Sequence, residues 1–209
     1  MRNSAFEIME RAKRQNNSGN SEGAAKTLED YLATDPGNHK ARILLSNIYI
    51  YNLEEFEFGI FQLDAVLERD PENIECMKAK ATALSAYKKY NKETDELYQH
   101  ILQADPSAEV YNAYGKFLRM QLLDFRKSAE HFLKAIELEP NDVDYRINYV
   151  SVLLNDLKEY ARAKKELEIL LKLDPENYTV RKNLTQLMKQ HFDKDGNLKK
   201  GYFHRPKKI

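Results

Sequence analysis

Five of the six prolines fall on a regular grid. Pro36, Pro71, Pro106, Pro140 and Pro175 are spaced 35, 35, 34 and 35 residues apart, and only Pro206 lies off it. Each follows an acid: Asp35, Asp70, Asp105, Glu139 and Asp174. Each is followed within two residues by Asn38, Asn73, Ser107, Asp142 or Asn177. Proline removes a backbone donor, clashes with the turn before it and pushes its predecessor out of the α region. Asn, Asp and Ser are the side chains that cap the next helix. Each joint therefore ends one helix and starts another. An interval of this length predicts two helices, because a single helix of about 30 residues would be far longer than the usual ~12.

The middle of each interval needs its own break. Asn or Gly marks it at NNSGN (16–20), Asn52, Asn91 and Asn155, residues that tolerate the left-handed conformation ending a helix. The fourth interval, at QLLDF (121–125), carries neither. Between the breaks, apolar residues keep helical spacing, as in Phe125, Ala129, Phe132, Leu133, Ile136 and in Tyr160, Ala163, Leu167, Leu170, Leu171. Such stripes predict amphipathic helices with a charged outer face. Sustained period-two alternation is lacking, so the expected class is all-α.

These residues resemble the tetratricopeptide repeat, a helix–turn–helix of about 34 residues ending in Pro. The fourth repeat matches at Tyr111, Tyr114, Gly115, Leu118, Ser128, Phe132, Ala135 and Pro140. The fifth matches at Arg146, Tyr149, Val150, Leu153, Ala163, Leu167, Leu170 and Pro175. The second matches at Leu45, Ser46, Tyr49, Gly59, Leu63, Val66 and Pro71; the third is degenerate, and the first is weak on its first helix, over 3–15. The resemblance implies repeats over 3–36, 38–71, 73–106, 107–140 and 142–175, with a capping helix over 178–192. Residues 1–192 would form an α-solenoid, a right-handed superhelix of antiparallel helix pairs, and 193–209 a flexible basic tail. Small side chains are required where the two helices of a pair cross. Stacking on a neighbour buries the stripe that one pair alone would leave wet.

In this family the first helix of each pair lines a groove that holds a peptide or a partner helix. The resemblance places Lys40, Asn47, Tyr51, Lys78, Asn112, Lys116, Arg119, Asn148, Asn155 and Asn183 on that face. Amide side chains suit it, because each can donate to and accept from a peptide backbone. The expected function is a non-catalytic protein–protein interaction scaffold. The carboxylate clamp that grips Hsp70/Hsp90 C-termini needs Lys, Asn, Asn, Lys and Arg at set places, and no register here matches more than one. That partner is disfavoured.

Catalytic and cofactor signals are missing from the sequence. The five histidines are scattered, no metal-ligand spacing or phosphate-binding loop occurs, and Gly115-Lys116 reads as helix packing. No enzyme activity, cofactor or metal is expected. DKDGN (193–197) fails the calcium-loop pattern, with Leu198 and His204 where Gly and Glu belong, and reads as a turn. The lone Cys76 excludes an intramolecular disulfide and suits a reducing, cytoplasmic setting. The first residues lack an apolar signal region, and no run approaches a membrane span, so no membrane insertion is expected.

Net charge is zero, with 33 basic and 33 acidic residues, yet the charges are uneven. From Asn197 onward there are five cations (Lys199, Lys200, Arg205, Lys207, Lys208) and no acid, so 1–196 is formally −5. An alternative function follows: an adaptor meeting nucleic acid or an acidic surface through this tail, with Tyr202, Phe203 and His204 for stacking. Five charges alone would bind nucleic acid weakly.

Overall fold

A computed structural model describes residues 4–199, apart from the side chain of Lys89. The described residues form eleven α-helices in two compact units that divide between Pro106 and Ser107. The first unit holds α1 (Ala5–Asn17), α2 (Ser21–Leu32), α3 (His39–Tyr51), α4 (Phe56–Leu67), α5 (Ile74–Leu84) and α6 (Asn91–Ala104). The second holds α7 (Ala108–Phe117), α8 (Phe125–Leu138), α9 (Val143–Val152), α10 (Tyr160–Leu173) and α11 (Tyr178–His191). Within each unit every helix packs on the next in sequence. Among the described residues no helix is long and apolar enough to cross a membrane.

The joints are built as their sequence requires. Asn38, Asn73, Asp142 and Asn177 are N-cap residues whose side chains accept from Ala41, Cys76, Tyr145 and Val180 N–H at 3.0, 2.9, 2.8 and 3.1 Å. The acid before three of the prolines has a second task. The amide Nδ2 of Asn38, Asn73 and Asn177 donates to Asp35, Asp70 and Asp174 at 3.2, 2.9 and 3.0 Å. One Asn thus closes the old joint with its nitrogen and opens the new helix with its oxygen. Ser107 occupies the third cap position in chain order without a side-chain bond to the helix.

The first mid-pair break is as expected, with Gly19 of NNSGN left-handed, and the other three marked breaks differ. Asn52 is right-handed, Asn91 opens α6, and Asn155 lies inside a π-helical turn, Leu153–Leu157. The left-handed residues are Gly19, Glu54, Leu123 and Lys158, spaced 35, 69 and 35 apart. The break is thus periodic, but it is set by position rather than by residue type. Wide hydrogen bonds hold it: Asn20 N–H to Gln15 O at 2.9 Å, Glu55 to Tyr49 at 2.8 Å, Asp124 to Leu118 at 3.0 Å and Glu159 to Leu153 at 2.9 Å. A left-handed non-Gly residue costs about 1–2 kcal/mol; the carbonyls satisfied and the packing of the next helix offset it. The third pair instead turns through a short 3-10 segment, Lys88–Tyr90.

Small residues sit where helices cross. Ser46, Ala81, Thr94, Ser128, Ala135 and Ala163 are fully inaccessible. A Cβ on Gly115 would lie 2.9 Å from the Phe132 ring, and Ser128 Oγ donates to Gly115 O at 2.8 Å. Gly115 is thus the packing residue its sequence context predicts. In the second unit a core of Phe132, Tyr149, Leu153, Leu167, Leu170 and Leu187 runs from α8 to α11. Each fully buried side chain of this size contributes roughly 1.5–3 kcal/mol.

The chain does not become tail at residue 193. Phe192 pairs antiparallel with Leu198, Gly196 is left-handed, and Asp193 Oδ1 accepts from Asp195 and Asn197 N–H at 3.0 and 2.8 Å. Lys199 N–H returns to His191 O at 3.0 Å, while its Nζ meets the carbonyls of Lys189 and Gln190. A cation on the last carbonyls of a helix is a favourable C-terminal cap. Residues 193–199 are therefore a clasp on α11, where the sequence predicts the start of a flexible segment.

Candidate functional site

A cavity of about 510 Å³ opens in the second unit against α9, its π-turn, α10 and α11. Its floor is apolar: Val150, Leu154, Leu167, Leu170, Val180 and Leu187. Its rim is mostly neutral and polar: Ser151, Asn155, Thr179, Asn183, Gln186 and Gln190. Helical spacing explains the rim. Thr179, Asn183, Gln186 and Gln190 recur at intervals of three and four on α11, so one face carries them all.

The basic side chains at the cavity are Lys158 and His191. Lys158 is held by its own turn, with Nζ donating to Asn155 O at 2.6 Å. His191 stacks on Tyr160, ring centroids 3.7 Å apart. Burial, then the charges of Lys199 and Lys158, lower its pKa from 6.5, so it is a neutral imidazole near neutrality. Every lining residue is apolar, amide, hydroxyl or basic; no carboxylate lines the cavity among the described residues. An apolar floor with an amide rim accepts a side chain below and pairs with a peptide backbone above.

The ten residues placed on the groove by sequence separate into distinct groups. Asn155 and Asn183 line this cavity together. Lys40, Asn47, Tyr51 and Lys78 belong to the first unit. Of these, Lys40 and Tyr51 are exposed, Asn47 is half-buried, and Lys78 is ion-paired with Asp105. Lys116 is exposed on α7.

The remaining three are committed elsewhere, a correction to their reading as free contact residues. Asn112 is only 8% exposed, and its Oδ1 accepts from Asn148 Nδ2 at 2.9 Å. Arg119 Nε donates to Asp156 at 2.6 Å, joining the two π-turns. The first unit repeats the device with Asn16 Nδ2 to Asn52 Oδ1 at 3.1 Å. Asn112–Asn148 and Arg119–Asp156 thus join successive pairs of the second unit, where polar groups in a packed seam must be paired. Sequence reasoning missed Lys158, Thr179, Gln190 and the floor; the α11 periodicity was the available signal for two of them.

Elsewhere the chemistry is quiet. Cys76 is fully buried, donates to Leu63 O, and burial pushes its thiol up to about 12, so it is not a thiolate at neutral pH. Among the described residues no group of three or more His, Cys, Asp or Glu is placed to hold a metal ion. The aromatic and basic residues of the tail, Tyr202, Phe203, His204, Arg205, Lys207 and Lys208, lie outside the described residues.

Antiparallel-type helix pairs, small residues at the crossings and an Asp-Pro-x-Asn joint define a class, the α-solenoids of tetratricopeptide-repeat type, and this chain has that fold. Solved structures agree. MamA (residues 41 to the end) from Desulfovibrio magneticus superposes with a TM-score of 0.70 at 18% identity, covering 83% of this chain and 97% of that one. PilF from Pseudomonas aeruginosa gives 0.71 at 18%, covering 88% and 82%. A tetratricopeptide repeat protein from Parabacteroides merdae gives 0.70 at 16%, covering 88% and 72%. The sequence matches no protein-family model and no curated protein.

Proposed function

We propose that this chain is a non-catalytic protein-interaction scaffold, and that the cavity between α9 and α11 takes a segment of a partner protein. The observation that carries this reading is the combination of an apolar floor with an amide rim in one concavity. Asn155, Asn183 and Gln186 bind the partner's backbone, and the floor of Val150, Leu154 and Leu187 takes one of its apolar side chains. Neutral amides fix orientation without requiring a charged partner residue. The ten-residue groove of the sequence reading contracts to Asn155 and Asn183, with Ser151, Gln186 and Gln190 beside them.

The test is peptide selection from a random displayed library against the full chain. Selected peptides are expected to lose at least about tenfold in affinity for the Asn155→Ala/Asn183→Ala/Gln186→Ala variant, since truncated contact residues at a site's centre typically cost more than 1 kcal/mol each. Peptides that bind this variant as tightly as the parent protein would place the site elsewhere.

A further inference from the structure

On the reading of the α9–α11 cavity as a docking site, its charges narrow the class of segment it takes. Lys158 and His191 line the end of the cavity where the π-turn after α9 and α11 itself both finish. Lys199 is close by: its N–H returns to His191 O at 3.0 Å, and its charge, like that of Lys158, acts on the His191 ring. Both lysines give their Nζ to carbonyl oxygens, Lys158 to Asn155 O at 2.6 Å and Lys199 to Lys189 O and Gln190 O at 2.8 and 3.2 Å. The acids beside Lys158 in the chain are already matched. Asp156 meets Arg119 Nε and Glu159 meets Arg162 Nη1, both at 2.6 Å. In the clasp, Asp193 Oδ1 accepts from two backbone N–H groups. At the opposite end Asp174 accepts from Asn177 Nδ2 and does not line the cavity.

A helix C-terminus carries about half a negative elementary charge, so one lysine at each outweighs it. The far end of the cavity is therefore net positive, beside a floor and a rim of uncharged groups. A basic segment is repelled there. The chain's own residues 200–209, with Lys200, Arg205, Lys207, Lys208 and no Asp or Glu, are by charge a poor match. A nucleic acid meets a floor of Val and Leu, whereas bases stack on aromatic faces. The Tyr160 ring is already stacked on His191. A protein segment with Asp or Glu close to an aliphatic side chain satisfies both halves: the carboxylate reaches the cationic end, and the apolar group covers Leu154 and Leu187.

We propose that the α9–α11 cavity selects an acidic, aliphatic segment of a protein partner, and that Lys158 is the residue that sets this charge preference. The floor and the amides supply contact area and backbone bonds; Lys158 decides which end of the segment lies toward the end of α11.

The probe is a displayed peptide library of the form X-X-Z-X-Z-X-X, with Z drawn from Leu, Ile and Met and X drawn equally from Asp, Asn, Lys and Ser. Both ends are joined to flanking chain, so that side-chain carboxylates alone carry negative charge. Selection on the full chain is expected to enrich Asp over Asn about threefold at one X position, the size expected of an exposed ion pair, and Lys least of all. The preference is expected to shrink as salt rises. Lys158→Glu reverses the charge in a turn that accepts it: Glu54 holds the same left-handed conformation at the equivalent turn, φ 59° against 58°. On that variant Lys is expected to be enriched over Asp at the same position. Lys158→Asn, a residue type that tolerates this conformation, is expected to bring Asp and Asn to parity. Circular dichroism checks both folds. Peptides that lose affinity on the Asn155→Ala/Asn183→Ala/Gln186→Ala variant but show no preference for Asp, or a preference that Lys158→Asn leaves unchanged, overturn the acidic occupant while the cavity remains the docking site. Peptides that bind that triple variant as tightly as the parent overturn both readings. A library that yields no binder also overturns the acidic occupant, and the fully random library then judges the cavity separately.

Discussion

Asn177 Nδ2 donates to Asp174 Oδ2 at 3.0 Å while Asn177 Oδ1 accepts from Val180 N–H at 3.1 Å. One side chain spans the end of α10 and the start of α11, with Pro175 between. Asn73 does the same between Asp70 and Cys76. Removing the amide loses a cap and leaves a helix N–H unpaired. Asn177→Ala and Asn73→Ala are each expected to cost about 1 kcal/mol, the usual value of a cap. Ser107 makes no such bond to α7, so Ser107→Ala is expected to cost less than about half of that. Urea denaturation of the three variants checks the order, and an equal loss at Ser107 would discount the side-chain bond.

Gly115 tests close packing. A methyl group there would meet the Phe132 ring at 2.9 Å, and Phe132 is 1% exposed with no room to retreat. Gly115→Ala is expected to destabilise by about 1–3 kcal/mol, although Ala in a helix interior is otherwise favoured over Gly by about 1 kcal/mol. At Gly37 the nearest atom to a new Cβ is Arg69 Nη1 at 3.9 Å. Gly37→Ala is expected to be close to neutral. Comparable thermal midpoints for the two variants would contradict the packing argument.

The contrast between such positions explains what the sequence could reveal. Asp-Pro-x-Asn joints are legible because their chemistry is local: stop, bridge and cap all lie between Asp174 and Val180 at the last of them. Gly115 is legible because its place in the repeat implies a crossing. The left-handed turns at Glu54, Leu123 and Lys158 are not, because tertiary packing overrides the preference of those residue types. Asn112 and Asn148 look like groove contacts on a helix wheel. Only their pairing across α7 and α9 reveals a structural bond. The clasp over 193–199 depends on backbone pairing between Phe192 and Leu198, which a turn motif alone does not specify.

Arg146 shows a charge used as core. It is 9% exposed; its Nε and Nη2 donate to Pro140 O at 3.0 and 2.8 Å, and its Nη1 meets Glu166 at 2.6 Å. The guanidinium ties the joint before α9 to α10, a role that lysine cannot fill in this fork geometry. Arg146→Ala is expected to cost about 3 kcal/mol, much of it from a carboxylate left unpaired in a packed seam. Arg146→Met with Glu166→Met is expected to recover part of that loss, because no charge is stranded. A double-mutant cycle in urea checks this. Additive single effects would mean that Arg146 and Glu166 are not coupled.

His191 gives the second unit a pH response. Burial, followed by the charges of Lys199 and Lys158, holds its folded pKa below the ordinary 6.5. The folded state therefore takes up this proton less readily than the unfolded chain. Its contribution to stability is present above about pH 6.5 and is lost as pH falls through the unfolded value toward the lower folded one. His191→Phe keeps a ring to stack on Tyr160, which His191 meets at 3.7 Å, and removes the titration. Between about pH 7.5 and 5 the parent protein is expected to lose more stability than the variant. Urea midpoints followed at both pH values decide it: curves that shift in parallel would exclude His191 as the titrating group.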